Sequence, residues 1–172
     1  MDLASTIRAV PNFPLEGILF YDITTLLKNP AALKETIDRL TQRYQDKQID
    51  LVAGMESRGF IFGVPLAYRL GVGFVPIRKP GKLPAEKISE TYELEYGRNT
   101  LEIHLDSIEK GQKVLIVDDL LATGGTAKAS CNLIEKLGGE IVSLAFIVEL
   151  SFLRGREKLE GYDIFSAVQY DK

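Results

Sequence analysis

The segment from Val114 to Thr126 combines the residue types that bind a sugar phosphate. It opens with four consecutive apolar residues, Val114–Val117, and two adjacent acids, Asp118 and Asp119, follow directly. A small, glycine-rich stretch then leads into a predicted helix: Ala122, Thr123, Gly124, Gly125 and Thr126. Ligands bind at the carboxyl ends of the strands in parallel α/β sheets, so this order predicts a binding site here.

The turn after the acids has the features of an anion site. Its glycines let backbone N–H groups approach an anion closely, and the first turn of a helix adds unpaired N–H donors at its positive end. The hydroxyl groups of Thr123 and Thr126 provide two more donors. We therefore expect residues 122–126 to hold a phosphate group.

The two acids need a different partner, because carboxylates would repel a phosphate. Asp118 and Asp119 can instead accept hydrogen bonds from the two vicinal hydroxyls of a ribose, which pairs a sugar with its 5′-phosphate. They would also place negative charge near C1′, where an oxocarbenium-like transition state builds positive charge. The alternative to a ligand site is a tight turn beside two solvated acids. That alternative would explain Gly124-Gly125 alone, but it does not explain the whole segment from Val114 to Thr126.

Other phosphate and metal motifs do not occur in the chain. It has no G-x-x-x-x-G-K-[ST] and no G-x-G-x-x-G after a strand, which argues against P-loop and dinucleotide sites. His104 lies on the polar side of an alternating strand and is interpreted as solvated rather than catalytic. Cys131 is interpreted as a small buried residue. Neither has partners at metal-ligand spacing, so the sequence does not indicate a zinc site.

Composition limits the classes of protein to which the chain can belong. Its 172 residues suit one domain, and 45% hydrophobic with 26% charged residues is ordinary for a globular protein. A net charge of −3 without a block of like charge argues against a nucleic-acid partner. No apolar run approaches the ~20 residues that span a bilayer, and the N-terminus lacks a signal-peptide core. With one cysteine and no possible internal disulfide, we expect a cytoplasmic protein without a membrane partner.

Strands and helices alternate along the chain. Helices are predicted at 59–70 and 126–137, each ended by glycine, and another is opened by Asn29-Pro30. Strands are predicted at 49–53, 73–77, 100–105, 113–117, 141–148 and 162–168, with a short helix at 153–159. This alternation predicts an α/β fold with a mainly parallel sheet flanked by helices, in a single domain over 1–172. Residues 78–97 have no sustained period, and such a long connection is usually functional or disordered.

The strand, twin acids and Thr-Gly-rich loop of residues 114–126 resemble the signature of the phosphoribosyltransferase family. The resemblance runs from about Ile7 to about Val168. It implies the Rossmann-like core of the type I members, a small N-terminal hood over about 1–30, and a mobile loop over about 78–98. It also implies a glycosyl transfer from phosphoribosyl pyrophosphate to a base, releasing pyrophosphate, with Mg²⁺ brought by that substrate. A homodimer is the family expectation.

Four further segments resemble the family members that act on adenine and make AMP for purine salvage. They are Phe13-Pro14 with residues 17–24, then residues 56–60, 77–84 and 92–97. In the first segment, Leu19, Phe20 and Tyr21 would offer an aromatic face and backbone groups to adenine, with Phe20 stacking on the base. Hydrophobic patterning by itself favours Phe20 as a core residue, and only the resemblance selects the binding role.

Basic residues in the next two segments would hold the pyrophosphate. The resemblance gives this role to Arg58, whose forked guanidinium suits paired oxygens, and members of the family often have an unusual cis peptide at the position of Ser57. It also implies that Arg78, Lys79 and Lys82 neutralise the pyrophosphate, in some members across a dimer interface. Without the resemblance, a solvated basic turn explains these three residues equally well.

The last segment supplies the candidate general acid, Glu95. The resemblance places a glutamate here to take the N7 proton during synthesis and to return it in the reverse reaction, while Tyr96 would help close the site. A closed loop would exclude water, raise the pKa of the Glu95 carboxyl and protect the reactive sugar centre. Glu93 has the same local character, and only the match to Leu-Glu-Tyr-Gly separates the two glutamates.

Two other functions stay open from the sequence. The base could be hypoxanthine, guanine or xanthine, because Lys128 follows the phosphate loop and could donate to a 6-oxo group. The chain could also be a regulator that senses phosphoribosyl pyrophosphate without catalysis, although it has no basic stripe and no added helix-turn-helix.

Overall fold

Five parallel strands form the central sheet in the part of the chain that the structure describes. The computed structural model describes residues 1–94 and 96–172. In spatial order the strands are β4 (Gly73–Ile77), β3 (Leu51–Met55), β7 (Lys113–Leu121), β8 (Glu140–Leu150) and β9 (Ile164–Tyr170). Strand β4, which follows β3 in the sequence, lies toward one edge of the sheet, whereas β8, which follows β7, lies toward the opposite edge. The strand order therefore reverses between β3 and β7, where open α/β sheets bind their ligands.

Within the described residues, four α-helices flank this sheet or lead into it. They are α1 (Thr24–Leu27), α2 (Pro30–Tyr44), α3 (Arg58–Leu70) and α4 (Gly125–Lys136). The Asn29 side chain begins α2 by accepting hydrogen bonds from the N–H groups of Ala31 and Ala32, at 3.1 and 3.2 Å. Gly71 ends α3 in the left-handed conformation, with φ +70°. The predicted α/β fold with a mainly parallel sheet is thus confirmed.

In the part of the chain that the structure describes, two antiparallel hairpins stand apart from the central sheet. The first pairs β1 (Arg8–Pro11) with β2 (Leu19–Asp22), and the second pairs β5 (Lys87–Leu94) with β6 (Gly97–His104). The sequence predicted no regular element between residue 78 and the strand at 100–105, so strand β5 differs from that prediction. Its alternation is hidden because Glu90 occupies an inward position between Ile88 and Tyr92, where the pattern would require an apolar residue. Mobility of residues 78–98 stays a prediction.

Strand β7 is longer than its apolar run. The sequence predicted an end at Val117, but the strand continues through both acids to Leu121. Its neighbour β8 explains the extension, because Asp118 pairs with Phe146 and Leu120 pairs with Val148. Likewise, the short helix predicted at 153–159 is a pair of 3-10 turns, Ser151–Leu153 and Gly155–Leu159. The other predicted boundaries agree to within a few residues.

Apolar side chains fill both faces of the sheet. On the side of α2 and α3, the buried residues include Tyr44, Phe62 and Leu115, and on the side of α4 they include Ile116 and Cys131. The predicted burial of Cys131 is confirmed, and desolvation raises the pKa of its thiol to about 12. None of the helices in the described residues has the length and apolar character needed to cross a membrane.

Candidate active site

A cavity of about 400 Å³ opens at the carboxyl ends of β3 and β7. Its wall joins the β3–α3 turn, the basic segment after β4, the twin acids and the glycine-rich turn. The lining residues are Glu56, Ser57, Arg58, Lys79 and residues 118–127. The structure therefore brings Arg58, Lys79 and both acids together with the whole of the 122–126 loop.

The 122–126 loop presents the start of α4 to this cavity. Gly124 has φ +88°, a conformation that residues other than glycine rarely adopt. The Lys128 N–H bonds the Gly124 carbonyl at 2.9 Å, which starts the ladder of the helix. The N–H groups before Lys128 belong to the first turn of α4, where backbone N–H groups have no partner within the helix. The residues of this turn, Gly125, Thr126 and Ala127, line the cavity. This geometry suits a bound anion.

Gly155 packs against the backbone of the 122–126 loop, a contact that the sequence did not indicate. A Cβ atom on Gly155 would lie 2.4 Å from the Ala122 carbonyl oxygen and 2.9 Å from Leu121 Cδ1. Only glycine allows this close backbone contact. The next residue, Arg156, donates to both carboxylate oxygens of Glu149 at 2.7 and 2.8 Å, and Glu149 is only 4% exposed. This ion pair fixes the 3-10 turn beneath the loop.

Replacing Gly155 with alanine should raise the KM for phosphoribosyl pyrophosphate about tenfold, since overpacking costs about 1–3 kcal/mol. The added methyl group would displace the loop backbone at Ala122. Steady-state kinetics and thermal unfolding measure the effect. Gly73→Ala is the matched control, because a Cβ there meets only the flexible end of Leu51. A folded Gly155→Ala variant with an unchanged KM would contradict the supporting role.

The twin acids have different surroundings. Asp119 is 7% exposed, and its Oδ2 lies 2.7 Å from Arg58 Nε. Asp118 Oδ1 accepts the Asp119 backbone N–H at 2.8 Å. Desolvation raises the pKa of Asp118 well above its usual value, and the neighbouring carboxyl of Asp119 raises that pKa further. Asp118 thus favours its protonated form more than a solvated aspartate does.

The β3–α3 turn places Arg58 against Asp119 and leaves the arginine side chain half exposed. The Glu56–Ser57 peptide before it is cis, at the position that the family resemblance indicated. Gly59 brings α3 against the acids, because a Cβ there would lie 2.9 Å from the Val117 carbonyl oxygen and 3.0 Å from Asp118 Oδ1. The sequence assigned Arg58 to phosphate oxygens and gave no sign of its pairing with Asp119.

The basic segment after β4 is held by Glu56. The Glu56 carboxylate accepts hydrogen bonds from Arg78 Nε at 3.2 Å and from the Lys79 N–H at 2.9 Å. Desolvation acts to raise the pKa of Glu56, but the Lys79 N–H and the Arg78 charge outweigh it and lower that pKa. Lys79 lines the cavity, whereas Arg78 and Lys82 do not.

A second cavity of about 150 Å³ adjoins the first and shares Arg58, Asp119 and Leu120 with it. Most of its wall is apolar and comes from the first hairpin and the end of β8. The remaining lining residues are Ile18, Leu19, Phe20, Tyr21, Asp22, Ile23, Thr24, Val148 and Leu150. The predicted hood residues Leu19, Phe20 and Tyr21 thus lie beside the twin acids.

Aromatic contacts hold this hood in place. The Phe20 ring meets the Phe13 ring edge to face, with centroids 5.1 Å apart. The Tyr21 ring stacks on Tyr170 at 3.7 Å, so one of its faces is already covered. Phe20 is half-buried. Its burial therefore does not decide between the core residue and the base-binding residue that the sequence left open.

Three sequence predictions fall elsewhere. Glu95 lies outside the described residues. Tyr96 is 89% exposed and lines neither cavity. His104, which the sequence analysis interprets as solvated, is partly exposed, and its Nε2 accepts the Ala85 N–H at 3.2 Å. The segment leading into β5 covers this face of β6, which alternation in the sequence alone does not reveal.

Comparison with known proteins gives consistent matches over almost the whole chain. The family model for a phosphoribosyl transferase domain matches residues 22–169. The adenine phosphoribosyltransferase of Koribacter versatilis is 59% identical, over 99% of this chain and 93% of the relative. That of Chloroflexus aurantiacus is 61% identical, over 98% of each chain.

Solved structures agree with these relatives. The adenine phosphoribosyltransferase from Thermoanaerobacter pseudethanolicus superposes with a TM-score of 0.95 and 56% identity, over 98% of each chain. The Saccharomyces cerevisiae enzyme, complexed with an imino-altritol bisphosphate and adenine, gives a TM-score of 0.91 and 45% identity, over 96% of each chain.

Proposed function

The chain belongs to the phosphoribosyltransferase family, and we propose that its two joined cavities are where this family's reaction takes place. The chain transfers the phosphoribosyl group of phosphoribosyl pyrophosphate to adenine, which yields AMP and pyrophosphate and salvages the purine. One observation carries the assignment of the site. The polar cavity and the apolar cavity meet at Arg58, Asp119 and Leu120, so a sugar phosphate and a base can be joined at that boundary.

The sugar phosphate occupies the larger cavity. Its 5′-phosphate accepts hydrogen bonds from the 122–126 loop, and its 2′- and 3′-hydroxyls donate to Asp118 and Asp119. Asp119 lies at the boundary between the cavities, which puts its charge near C1′. The bond from C1′ to the pyrophosphate oxygen breaks as N9 of adenine forms the new bond to C1′. Catalysis is then mainly positioning and electrostatic stabilisation of the sugar cation.

The leaving pyrophosphate lies toward the cationic side chains of Arg58 and Lys79, which line the larger cavity. Arg78 and Lys82 lie on the same segment as Lys79 and add positive charge nearby. Carboxylate and hydroxyl oxygens in the cavity wall, including those of Asp118 and Asp119, are donors of the type that Mg²⁺ accepts. Bound to pyrophosphate oxygens, Mg²⁺ would supply positive charge to the leaving group.

Adenine occupies the smaller, apolar cavity. Phe20 stacks on the ring, while Leu19 and Tyr21 contribute their backbone groups. Glu95 takes the proton that adenine loses at N7, and Tyr96 closes the site with the hairpin tip. These two roles rest on the resemblance of Leu-Glu-Tyr-Gly to the family pattern.

A homodimer is also part of the proposal. Helix α3 has an exposed apolar stripe at helical spacing, formed by Ile61, Val64 and Tyr68. A second copy of the chain would bury this stripe beside the site. A cytoplasmic location remains a prediction from the sequence.

The choice of base is tested by supplying phosphoribosyl pyrophosphate, Mg²⁺ and each purine base in turn and measuring the nucleotides formed. Adenine should be preferred by at least about 10²-fold in kcat/KM. Lys128 lines neither cavity, and its Nζ lies over the Tyr162 ring, 5.3 Å from the centroid. This position argues against Lys128 as the donor to the 6-oxo group of hypoxanthine, guanine or xanthine. Faster reaction with hypoxanthine, guanine or xanthine would overturn the choice, and tight binding without AMP would favour the regulator.

A further inference from the structure

The β5–β6 hairpin is attached to α4 through one face of β5. Ile88 packs against the core on this face. Two residues later, the Glu90 carboxylate accepts Asn132 Nδ2 at 3.1 Å and pairs with Lys136 Nζ at 2.5 Å. The Lys136 hydrogen bond is the main reason that the pKa of Glu90 is lowered. These contacts hold the hairpin in a defined register along the helix.

Tyr92 is the next residue in that row, and it reaches the 122–126 loop. Its hydroxyl oxygen lies 2.7 Å from Thr126 Oγ1. Its ring also covers Gly125, where a Cβ atom would lie 3.1 Å from Tyr92 Cδ2 and 3.2 Å from Cε2. Tyr92 therefore contacts both residues at the start of α4, although it lies more than thirty residues away in the sequence.

We propose that Tyr92 is a positioning residue for the phosphate loop, which it orients through the hydroxyl of Thr126. A threonine hydroxyl has one donor and two acceptor sites. When the Tyr92 phenol donates to Thr126 Oγ1, the proton of Thr126 is directed to another acceptor. The inference rests on the proposed function, in which that acceptor is the 5′-phosphate held by residues 122–126.

The arrangement also connects the phosphate to the hairpin tip. An anion that accepts the Thr126 proton strengthens the hydrogen bond that Thr126 accepts from Tyr92, because hydrogen bonds in a chain polarise one another. Tyr92 lies three residues before Glu95 in the sequence. Binding of the sugar phosphate would thus hold the hairpin against α4 before adenine reacts.

The test is Tyr92→Phe, which keeps the ring over Gly125 and removes only the hydroxyl. We expect the KM for phosphoribosyl pyrophosphate and the Kd for ribose 5-phosphate, measured by calorimetry, to rise about 3- to 10-fold. The KM for adenine and the melting temperature should stay close to those of the wild type. Thr91→Val is the matched control, since Thr91 Oγ1 bonds Thr100 Oγ1 at 2.9 Å on the same hairpin and is exposed.

Coupling to Thr126 separates this role from a structural one. Tyr92→Phe should have no further effect on ribose 5-phosphate binding in a Thr126→Val background, and it should keep its full effect in Thr126→Ser. An equal loss in the Thr126→Val background, or wild-type binding by Tyr92→Phe, would overturn the proposal for Tyr92. If Thr126→Val itself binds ribose 5-phosphate as the wild type does, the Thr126 hydroxyl does not hold the phosphate and the proposal for Tyr92 fails, whereas the proposed function fails only if the wild type forms no AMP.

Discussion

Replacing Asp119 with asparagine should lower kcat by about 10²-fold, the size expected when a charge that stabilises a transition state is removed. Asp119 lies where the sugar and base cavities meet, and its carboxylate is nearly buried. Asparagine has the same shape but no charge to oppose the developing sugar cation. Steady-state kinetics with adenine and phosphoribosyl pyrophosphate measure the loss, alongside the free energy of unfolding.

Stability should change much less than activity in this variant. The lost partner, Arg58, is half exposed and regains water, so we expect a change of about 1 kcal/mol or less. Asp118→Asn is the matched control, and its loss of kcat should be smaller, because Asp118 lines only the larger cavity whereas Asp119 lies where the two cavities meet. Equal kcat values in Asp119→Asn and the wild type would refute the electrostatic role.

Replacing Glu95 with glutamine should also lower kcat by about 10²-fold or more, the usual contribution of a general acid or base. Glutamine cannot accept the N7 proton of adenine. The Kd for phosphoribosyl pyrophosphate should remain near the wild-type value, since the residue acts on the base. Rapid-quench measurement of AMP formation and direct binding of phosphoribosyl pyrophosphate separate these two quantities.

Glu93 supplies the control for that experiment. Its carboxylate lies 3.0 Å from Arg98 Nε across the hairpin and is 75% exposed. Glu93→Gln should therefore leave kcat within about twofold, because an exposed ion pair contributes little. A larger loss in Glu93→Gln than in Glu95→Gln would mean that the sequence match selected the wrong acid.

The phosphate loop could be predicted from the sequence because its chemistry is local. An apolar strand, two acids and a Thr-Gly-Gly-Thr turn before a helix occupy thirteen consecutive residues, Val114 to Thr126, and the structure places the acids and the loop around one cavity. The extension of β7 through the acids could not be predicted in this way. It depends on pairing with β8, which lies later in the chain.

Strand β5 and the contacts of the loop depend on residues that are distant in sequence. The inward position of Glu90 makes sense only once Asn132 and Lys136 face it. Tyr92 precedes the loop in the sequence and Gly155 follows it, each more than thirty residues from the residue that it contacts, Thr126 and Ala122. The sequence around neither residue indicates this contact. The pairing of Arg58 with Asp119 joins two turns that only the sheet order brings together.

The most direct test of the account is a crystal structure of the protein with AMP. We expect the 5′-phosphate on the 122–126 loop, the ribose hydroxyls on Asp118 and Asp119, and the adenine ring against Phe20. An empty loop, with AMP bound in a separate cavity such as the one lined by Arg39 and Arg43, would contradict it.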